Sequence, residues 1–261
     1  MPELPEIANM AENLQKYLPG YYILKLNYDL DSKQVLPLKS LKLPIKILGI
    51  TIRGKKLIFI LENNFFIVSS LSLTGHWSWN KTDNSRIWFD LSDGVNKVGT
   101  IYFDDPRRFA IFEVFDSIQK LNNSFKNKVG PDLLSENISF EKWLETVNYK
   151  KMVCDFLIEQ KHISGIGNIY RSEIAYHAKI NPTRLMSSLN KNELKTLYES
   201  SIYVLRKAYN EGGSKRYINP LGKGGKYDPL VYKKEIDLFG NKINVENCKG
   251  RKIFWVPEIQ K

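Results

Sequence analysis

The chain has 261 residues, 43% of them hydrophobic, with 39 Lys and Arg against 28 Asp and Glu, a net charge of +11 and a pI near 9.4. That is enough apolar material for one large core or two modest ones, and the basic excess points to a polyanionic partner, nucleic acid ahead of an anionic membrane surface. No apolar run approaches the ~20 residues of a membrane span, and the acidic, proline-rich start does not read as a signal peptide, so a soluble intracellular protein is expected. The two cysteines, Cys154 and Cys248, are far apart in sequence. They are expected to form no disulfide framework, in keeping with a reducing compartment.

The start reads Met1-Pro2-Glu3-Leu4-Pro5-Glu6. Removal of an initiator methionine before a small residue would leave a secondary amine on Pro2, a nucleophile able to form an iminium with an electrophilic carbon, with Glu3 and Glu6 beside it. From Pro5 onward Ile7, Met10, Ala11, Leu14, Tyr17 and Leu18 recur at helical spacing, and Glu6 falls near the positive end of that helix. Taken alone, the segment reads sooner as an ordinary helix start with an acidic first turn.

Period-two alternation follows at 22–28, then β-like runs at 45–52, 55–61, 65–73, 86–91, 100–103 and 110–115, with turn signals at Asn63-Asn64 and Asp93-Gly94. Short strands in such succession predict an antiparallel sandwich packed on the first helix. Near residues 128–138 the pattern changes, and helical periodicity returns at 140–147, 152–158, 169–178 and 191–209. A Gly- and Lys-rich loop, 212–228, in which Lys215, Arg216 and Tyr217 stand out, leads to a short β-rich tail, 230–259. The fold class expected is α+β, with a β-sandwich domain at 1–130, a helical domain at 131–229 and a tail element at 230–261.

A second informative stretch is Gln160-Lys161-His162-Ile163-Ser164-Gly165-Ile166-Gly167-Asn168-Ile169-Tyr170-Arg171. Glycines feeding a helix start let backbone approach a ligand and leave N–H groups pointing outward, a good phosphate site, to which Asn168 adds an amide and Lys161 and Arg171 add charge. A plain helical packing corner would also favour these glycines.

Taken together, these motifs resemble the formamidopyrimidine-DNA glycosylase/endonuclease VIII family. Pro2-Glu3-Leu4-Pro5-Glu6 matches its N-terminal motif, and Gly165 to Glu173 its helix-two-turns-helix motif. Arg53-Gly54-Lys55 stands at its strand lysine, and Asp105-Pro106-Arg107-Arg108-Phe109 at its duplex-probing loop. The resemblance implies a bifunctional glycosylase and lyase: Pro2 is the nucleophile at C1′, Glu3 the acid/base, Glu6 its support, and Lys55 a phosphate holder. Lys56 alternates to the opposite face. Leu73, Arg107 and Phe109 would fill the gap left by an extruded base, while Asn168, Gly167, Lys161 and Arg251 would grip DNA.

The tail departs from the family's zinc finger. Its last Cys-x-x-Cys pair aligns with Val256 and Ile259, and its first falls around 237–240, so a zincless finger hairpin is expected. Cys248, His76, His162 and His177 show no metal-ligand spacing. No metal or organic cofactor is implied. The partner implied is double-stranded DNA carrying oxidised bases or abasic sites, lying across a basic cleft between the domains of a monomer. Two other readings stay open at this stage: a non-catalytic DNA-binding module, and a tautomerase using Pro2 as a general base.

Overall fold

The computed structural model describes residues 2–29, 32–215, 217, 220 and 222–261. They fall into two compact units. The first holds Pro2, Glu6–Lys126 and the described part of Lys215–Gly225; the second holds Glu3–Pro5, Asn127–Ser214 and Lys226–Lys261.

In the first unit helix α1 (Leu4–Tyr17) precedes eight antiparallel strands. These are β1 (Tyr22–Tyr28), β2 (Ile45–Arg53), β3 (Lys56–Leu61), β4 (Phe66–Ser70), β5 (His76–Ser78), β6 (Ser85–Ser92), β7 (Lys97–Asp104) and β8 (Ile111–Phe115). Their spatial order is β5-β7-β6-β1-β2-β3-β4-β8. Only Tyr22↔Lys46 and Ile23↔Ile45 join β1 to β2, so the strands divide there into two four-stranded layers, the expected sandwich. The layers and the apolar face of α1 share one core, with Trp77 edge-on to Phe59, Phe103 and Phe112 and the α1 residues Ile7, Met10 and Leu14 sealed against it. The alternating burial of β6 is the period-two pattern made physical: one face packs and the other is wetted.

Three local expectations need correction. The run 65–73 is not one strand, because Ser72 adopts a left-handed φ of 52° and the Gly75 N–H turns back onto the Leu71 carbonyl, ending β4 and starting β5. A Cβ at Gly75 would lie 2.6 Å from that carbonyl oxygen, so only glycine fits the turn. Lys55 is not a strand residue. It occupies the two-residue turn after Gly54 (φ 57°), between the paired Arg53 and Lys56. Helix α2 (Ile118–Phe125) was hidden in a polar stretch, although its Ser117 cap on the Lys120 N–H and the buried pair Leu121 and Phe125, four apart, are ordinary helix signals.

The second unit contains helices α3 (Phe140–Thr146), α4 (Val153–Ile158), α5 (Asn168–His177) and α6 (Lys191–Asn210), followed by the hairpin of β9 (Asn244–Cys248) and β10 (Arg251–Trp255). A capping box between Asn190 and Glu193 starts α6. The hairpin turns through Lys249 (φ 49°) and Gly250 (φ 73°), both left-handed, as a two-residue hairpin loop requires. Beyond these two strands the tail is held by side chains together with a few backbone bonds, among them the Ile243 N–H to the Glu235 carbonyl and the Lys261 N–H to the Lys179 carbonyl. Glu173, buried on α5, accepts from the N–H groups of Leu230, Val231 and Tyr232 and from the Tyr227 hydroxyl. Burial raises the pKa of Glu173 and those four donors oppose the rise.

Asp237 organises the next turn, accepting from the N–H groups of Phe239 and Asn241, the Asn241 amide and the Tyr176 hydroxyl, whose pKa rises to about 12 through burial and this bond. Replacing Asp237 by Ala should therefore lower stability by about 1–3 kcal/mol, since these donors lose their acceptor, and the Asn variant should lose less. Thermal unfolding of the two variants checks this; equal melting temperatures for wild type and Asp237→Ala would refute it.

Candidate active site and nucleic-acid interface

Glu3 is the anchor of the second unit's part of the site. Its carboxylate is buried (1% exposed) and receives the N–H groups of Gly167 (2.7 Å), Ile169 (2.9 Å) and Tyr170 (3.3 Å) at the start of α5. This corrects the expectation that the helix start keeps these donors for a phosphate. They are satisfied by a carboxylate of the chain itself, the anion that a helix N-terminus favours. The neighbouring Leu4 N–H donates to the Gly165 carbonyl, and a Cβ on Gly165 (φ 92°) would lie 2.5 Å from the Leu4 Cβ. Gly165 is thus required by the close passage of the N-terminal segment. The Gln160 amide braces the same loop, bonding the Gly165 N–H and the carbonyls of Ile158 and Ile166.

From α5 the contacts pass to the hairpin. Asn168, half-buried, donates its amide to the Lys252 carbonyl. Arg171 also departs from expectation: it is fully buried and adds no surface charge. Its guanidinium donates to the carbonyls of Cys154, Arg251 and Lys252, tying the arm of the hairpin that carries Arg251 to helices α4 and α5. Burial lowers the Arg171 pKa, and the Arg251 charge lowers it further. Arg251 itself is exposed, directly after the hairpin turn. Lys161 is exposed and pairs with Glu159 at 3.4 Å. Among the predicted residues of this unit, Glu3, Gly167, Asn168 and Arg251 therefore lie on one connected set of hydrogen bonds.

The two cysteines also contradict the sequence reading. Cys154 of α4 and Cys248 of β9 are joined as a disulfide, both buried, so Cys248 is not a lone thiol. With Asp155 they are the one group among the described residues that brings three metal-ligating side chains together. The histidines make unrelated contacts: His76 with Asp104, His162 with Glu159 and the Phe156 ring, and His177 with Ser200 and the Tyr203 ring.

In the first unit the three gap-filling candidates come from two loops that are bound to each other. The Ser72 hydroxyl donates to the Phe109 carbonyl (2.6 Å), and Asp105, fully buried, accepts from the Thr74 hydroxyl, the Ala110 N–H and the Gln34 amide. Leu73 is 37% and Phe109 51% exposed, which rules out core roles, and the Arg107 guanidinium lies over the Phe109 ring at 4.9 Å. Arg108, φ 56°, turns the other way to pair with Asp29 at 2.8 Å. Asp105 and Gln34 are organising residues that sequence reading missed. The available signal was an Asp before Pro-Arg-Arg, since a short carboxylate there commonly binds turn N–H groups.

Lys56, the first residue of β3, pairs with Glu113 at 2.6 Å, and with Lys55 in the turn, strand alternation does not relate the two side chains. Pro2 is half-buried, Glu6 is buried in the first turn of α1, and Met1 and Arg216 lie outside the described residues. Burial and the Glu6 charge push the Tyr217 hydroxyl up. No helix among the described residues is long and apolar enough to cross a membrane.

Residues 1–112 match the model of the formamidopyrimidine-DNA glycosylase N-terminal domain, and residues 129–218 match that of the formamidopyrimidine-DNA glycosylase H2TH domain. The chain belongs to the formamidopyrimidine-DNA glycosylase family. It is 31% identical to the formamidopyrimidine-DNA glycosylase of Zymomonas mobilis over 281 aligned positions covering all of both chains. With that of Lactococcus lactis subsp. cremoris it shares 31% over 232, covering 87% of this chain and 85% of the relative. The fold is similar to that of the Lactococcus lactis family member solved in complex with abasic-site DNA, with a TM-score of 0.87 and 28% identity over 99% of each chain. Thermus thermophilus MutM gives a TM-score of 0.88 and 27% identity over 99% of this chain and 98% of that one.

Because Gly165 must accept Leu4 beside the helix start, Gly165→Ala should cost about 2 kcal/mol or more through overpacking and the positive φ, lowering the melting temperature by several degrees. Gly222, whose Cβ would meet nothing within 4 Å, is the control for positive φ without the clash. Calorimetry of both alanine variants checks this; equal losses would refute the packing account.

Proposed function

We propose that this protein, a DNA glycosylase by family, excises oxidised bases from duplex DNA in base excision repair and then cleaves the strand as a lyase. One observation carries the reading: the residue after Pro2 is a buried carboxylate clamped by three backbone N–H groups of the helix-two-turns-helix. A carboxylate so held keeps a fixed position next to the amine in sequence, as proton transfer to and from a reacting sugar demands.

In this reading the free Pro2 amine attacks C1′ of the damaged nucleoside and the bond to the base breaks, the base leaving with a proton. Ring opening gives an iminium between Pro2 and C1′. Glu3 moves protons in ring opening and in the β- and δ-eliminations that sever the phosphodiester bonds, with Glu6 in support. Lys55 holds a phosphate near the lesion, and Asn168 and Arg251 hold the strand from the other unit, Arg251 as a two-pronged donor. Leu73, Arg107 and Phe109 fill the gap in the stack; their exposure and the Ser72 bond that joins their loops support that role. Lys161 and the basic excess add backbone affinity, whereas the Gly167 N–H serves Glu3 instead.

The tail is read as a finger without metal. The positions aligned with thiolates belong to an apolar cluster of Tyr176, Val231, Ile243, Phe254, Val256 and Ile259, and Gln260 bonds the Val256 N–H and the Ile180 carbonyl. Asp237 gathers the donors of the other turn.

Two outcomes test the chemistry. A protein with a retained N-terminal extension should bind damaged duplex yet neither cut it nor form a borohydride-trapped adduct; trapping by that protein would remove Pro2 from the mechanism. Glu3→Gln should abolish base release, and since an amide cannot accept all three N–H groups it should also lower the melting temperature. An enzyme with Glu3→Gln that keeps wild-type excision would overturn the assignment. For the tail, chelators should change neither melting temperature nor cleavage rate, whereas a zinc-dependent finger would unfold when stripped.

A further inference from the structure

Cys154 and Cys248 are used by no step of the reaction above, and they lie 94 residues apart in sequence yet bonded in space. One belongs to α4. The other ends β9 and is the direct cross-strand partner of Arg251. Cys248 also lines a cavity of about 220 Å³ with Ile158, Arg171, Lys249 and Arg251, a route for a small oxidant to an otherwise buried sulfur. Three cations around that cavity favour the thiolate when the pair is reduced. Asp155, whose Oδ1 lies 3.1 Å from the Cys248 sulfur, is in turn faced by Lys249 at 3.7 Å, so its charge is partly offset.

We propose that Cys154 and Cys248 form a reversible disulfide that clamps the finger hairpin to helix α4, fixing Arg251 for its phosphate, so that oxidation tightens the protein's hold on DNA. The effect on DNA rests on the function proposed above; the bond itself does not. Formation balances with a hydroperoxide as oxidant. The Cys248 thiolate attacks the peroxide oxygen, the O–O bond breaks, and the departing oxygen leaves as water or an alcohol after taking a proton. The sulfenic acid on Cys248 is then displaced by the Cys154 sulfur, which loses its proton as the hydroxyl leaves as water. Two thiols are oxidised to one disulfide and one peroxide is reduced. A dithiol reductant reverses the step by exchange.

The placement gives the bond leverage. The hairpin reaches the helices through the Arg171 and Asn168 hydrogen bonds to the Arg251 and Lys252 carbonyls, all on β10. The disulfide adds a tie from β9, at the residue opposite Arg251. With both strands fastened the turn between them, Lys249-Gly250, is fixed at each end. A covalent link closing so long a loop also restricts the unfolded chain.

The experiment uses full-length protein, reduced, freed of reductant, and split into a reduced sample and one treated with one equivalent of hydrogen peroxide. Alkylation and non-reducing peptide mapping should find two alkylated cysteines in the first and a Cys154–Cys248 linked peptide in the second. Hydrogen exchange should be slower at the amides of Asn244–Trp255 in the oxidised form. Affinity for a duplex with a stable abasic-site analogue should be at least threefold tighter when oxidised. The double variant Cys154→Ala, Cys248→Ala should match the reduced protein and ignore peroxide, and Arg251→Ala should remove the redox difference in affinity.

Two alkylatable thiols after peroxide, unchanged exchange in the hairpin, or stoichiometric zinc held by the reduced protein and lost in the double variant would each overturn the proposal. Should neither form bind damaged DNA, the function reading fails, and peptide mapping with hydrogen exchange still decides the clamp.

Discussion

The site depends on one buried charge. Glu3 cannot sit inside the protein unless its carboxylate is compensated, and the unpaired N–H groups at the start of α5 are the compensation available. The same bonds satisfy a helix start that would otherwise need water or a ligand. Each half therefore explains the other: the glycines around residue 165 leave room for the N-terminal segment, and that segment supplies the anion that the helix start attracts. A phosphate need not occupy these donors. In the proposed function the strand is held by Asn168 and Arg251, next to that anchor on the same helix and on the hairpin tied to it.

A similar economy governs Leu73 and Phe109, two of the exposed apolar residues of the first unit. Leu73 and Phe109 would be costly ornaments on isolated loops, yet Asp105 and Ser72 bind the two loops into one projecting body. The buried carboxylate of Asp105 receives three donors from three segments, so its loss would free both loops at once. Arg107 and Arg108 are neighbours with opposite fates. One lies over the Phe109 ring and the other pairs with Asp29, because the left-handed backbone at Arg108 reverses its direction.

The tail shows how a small hairpin can be fixed by ordinary side chains. Glu173 and Asp237 collect backbone N–H groups, an apolar cluster packs around Val256, and the buried Arg171 bonds the carbonyls of β10. A guanidinium buried with no carboxylate within bonding range among the described residues depends on several oriented carbonyls. Those it finds belong to both the helices and the hairpin. This makes Arg171 a positioning residue, despite its place in a motif where a surface charge was expected.

The sequence by itself determined the class of fold, most of the strands and helices to within a few residues though neither α2 nor β5, and the motifs that mark the family, because these rest on local periodicity and short-range spacing. Residues 22–28, 140–147 and 191–209 were legible for that reason. It did not determine where polar side chains find partners. Glu3 meeting the N–H groups of residues 167, 169 and 170, Arg171 turning inward, and Cys154 meeting Cys248 all join segments between about 80 and 165 residues apart. Turns were lost for a related reason: at Ser72 and Lys55 the local pattern reads as strand, and the left-handed backbone at Ser72 and Gly54 ends it. Only the tertiary structure decided these points, since a buried polar group is placed by whichever distant donor or acceptor satisfies it, and that choice leaves no period in the chain.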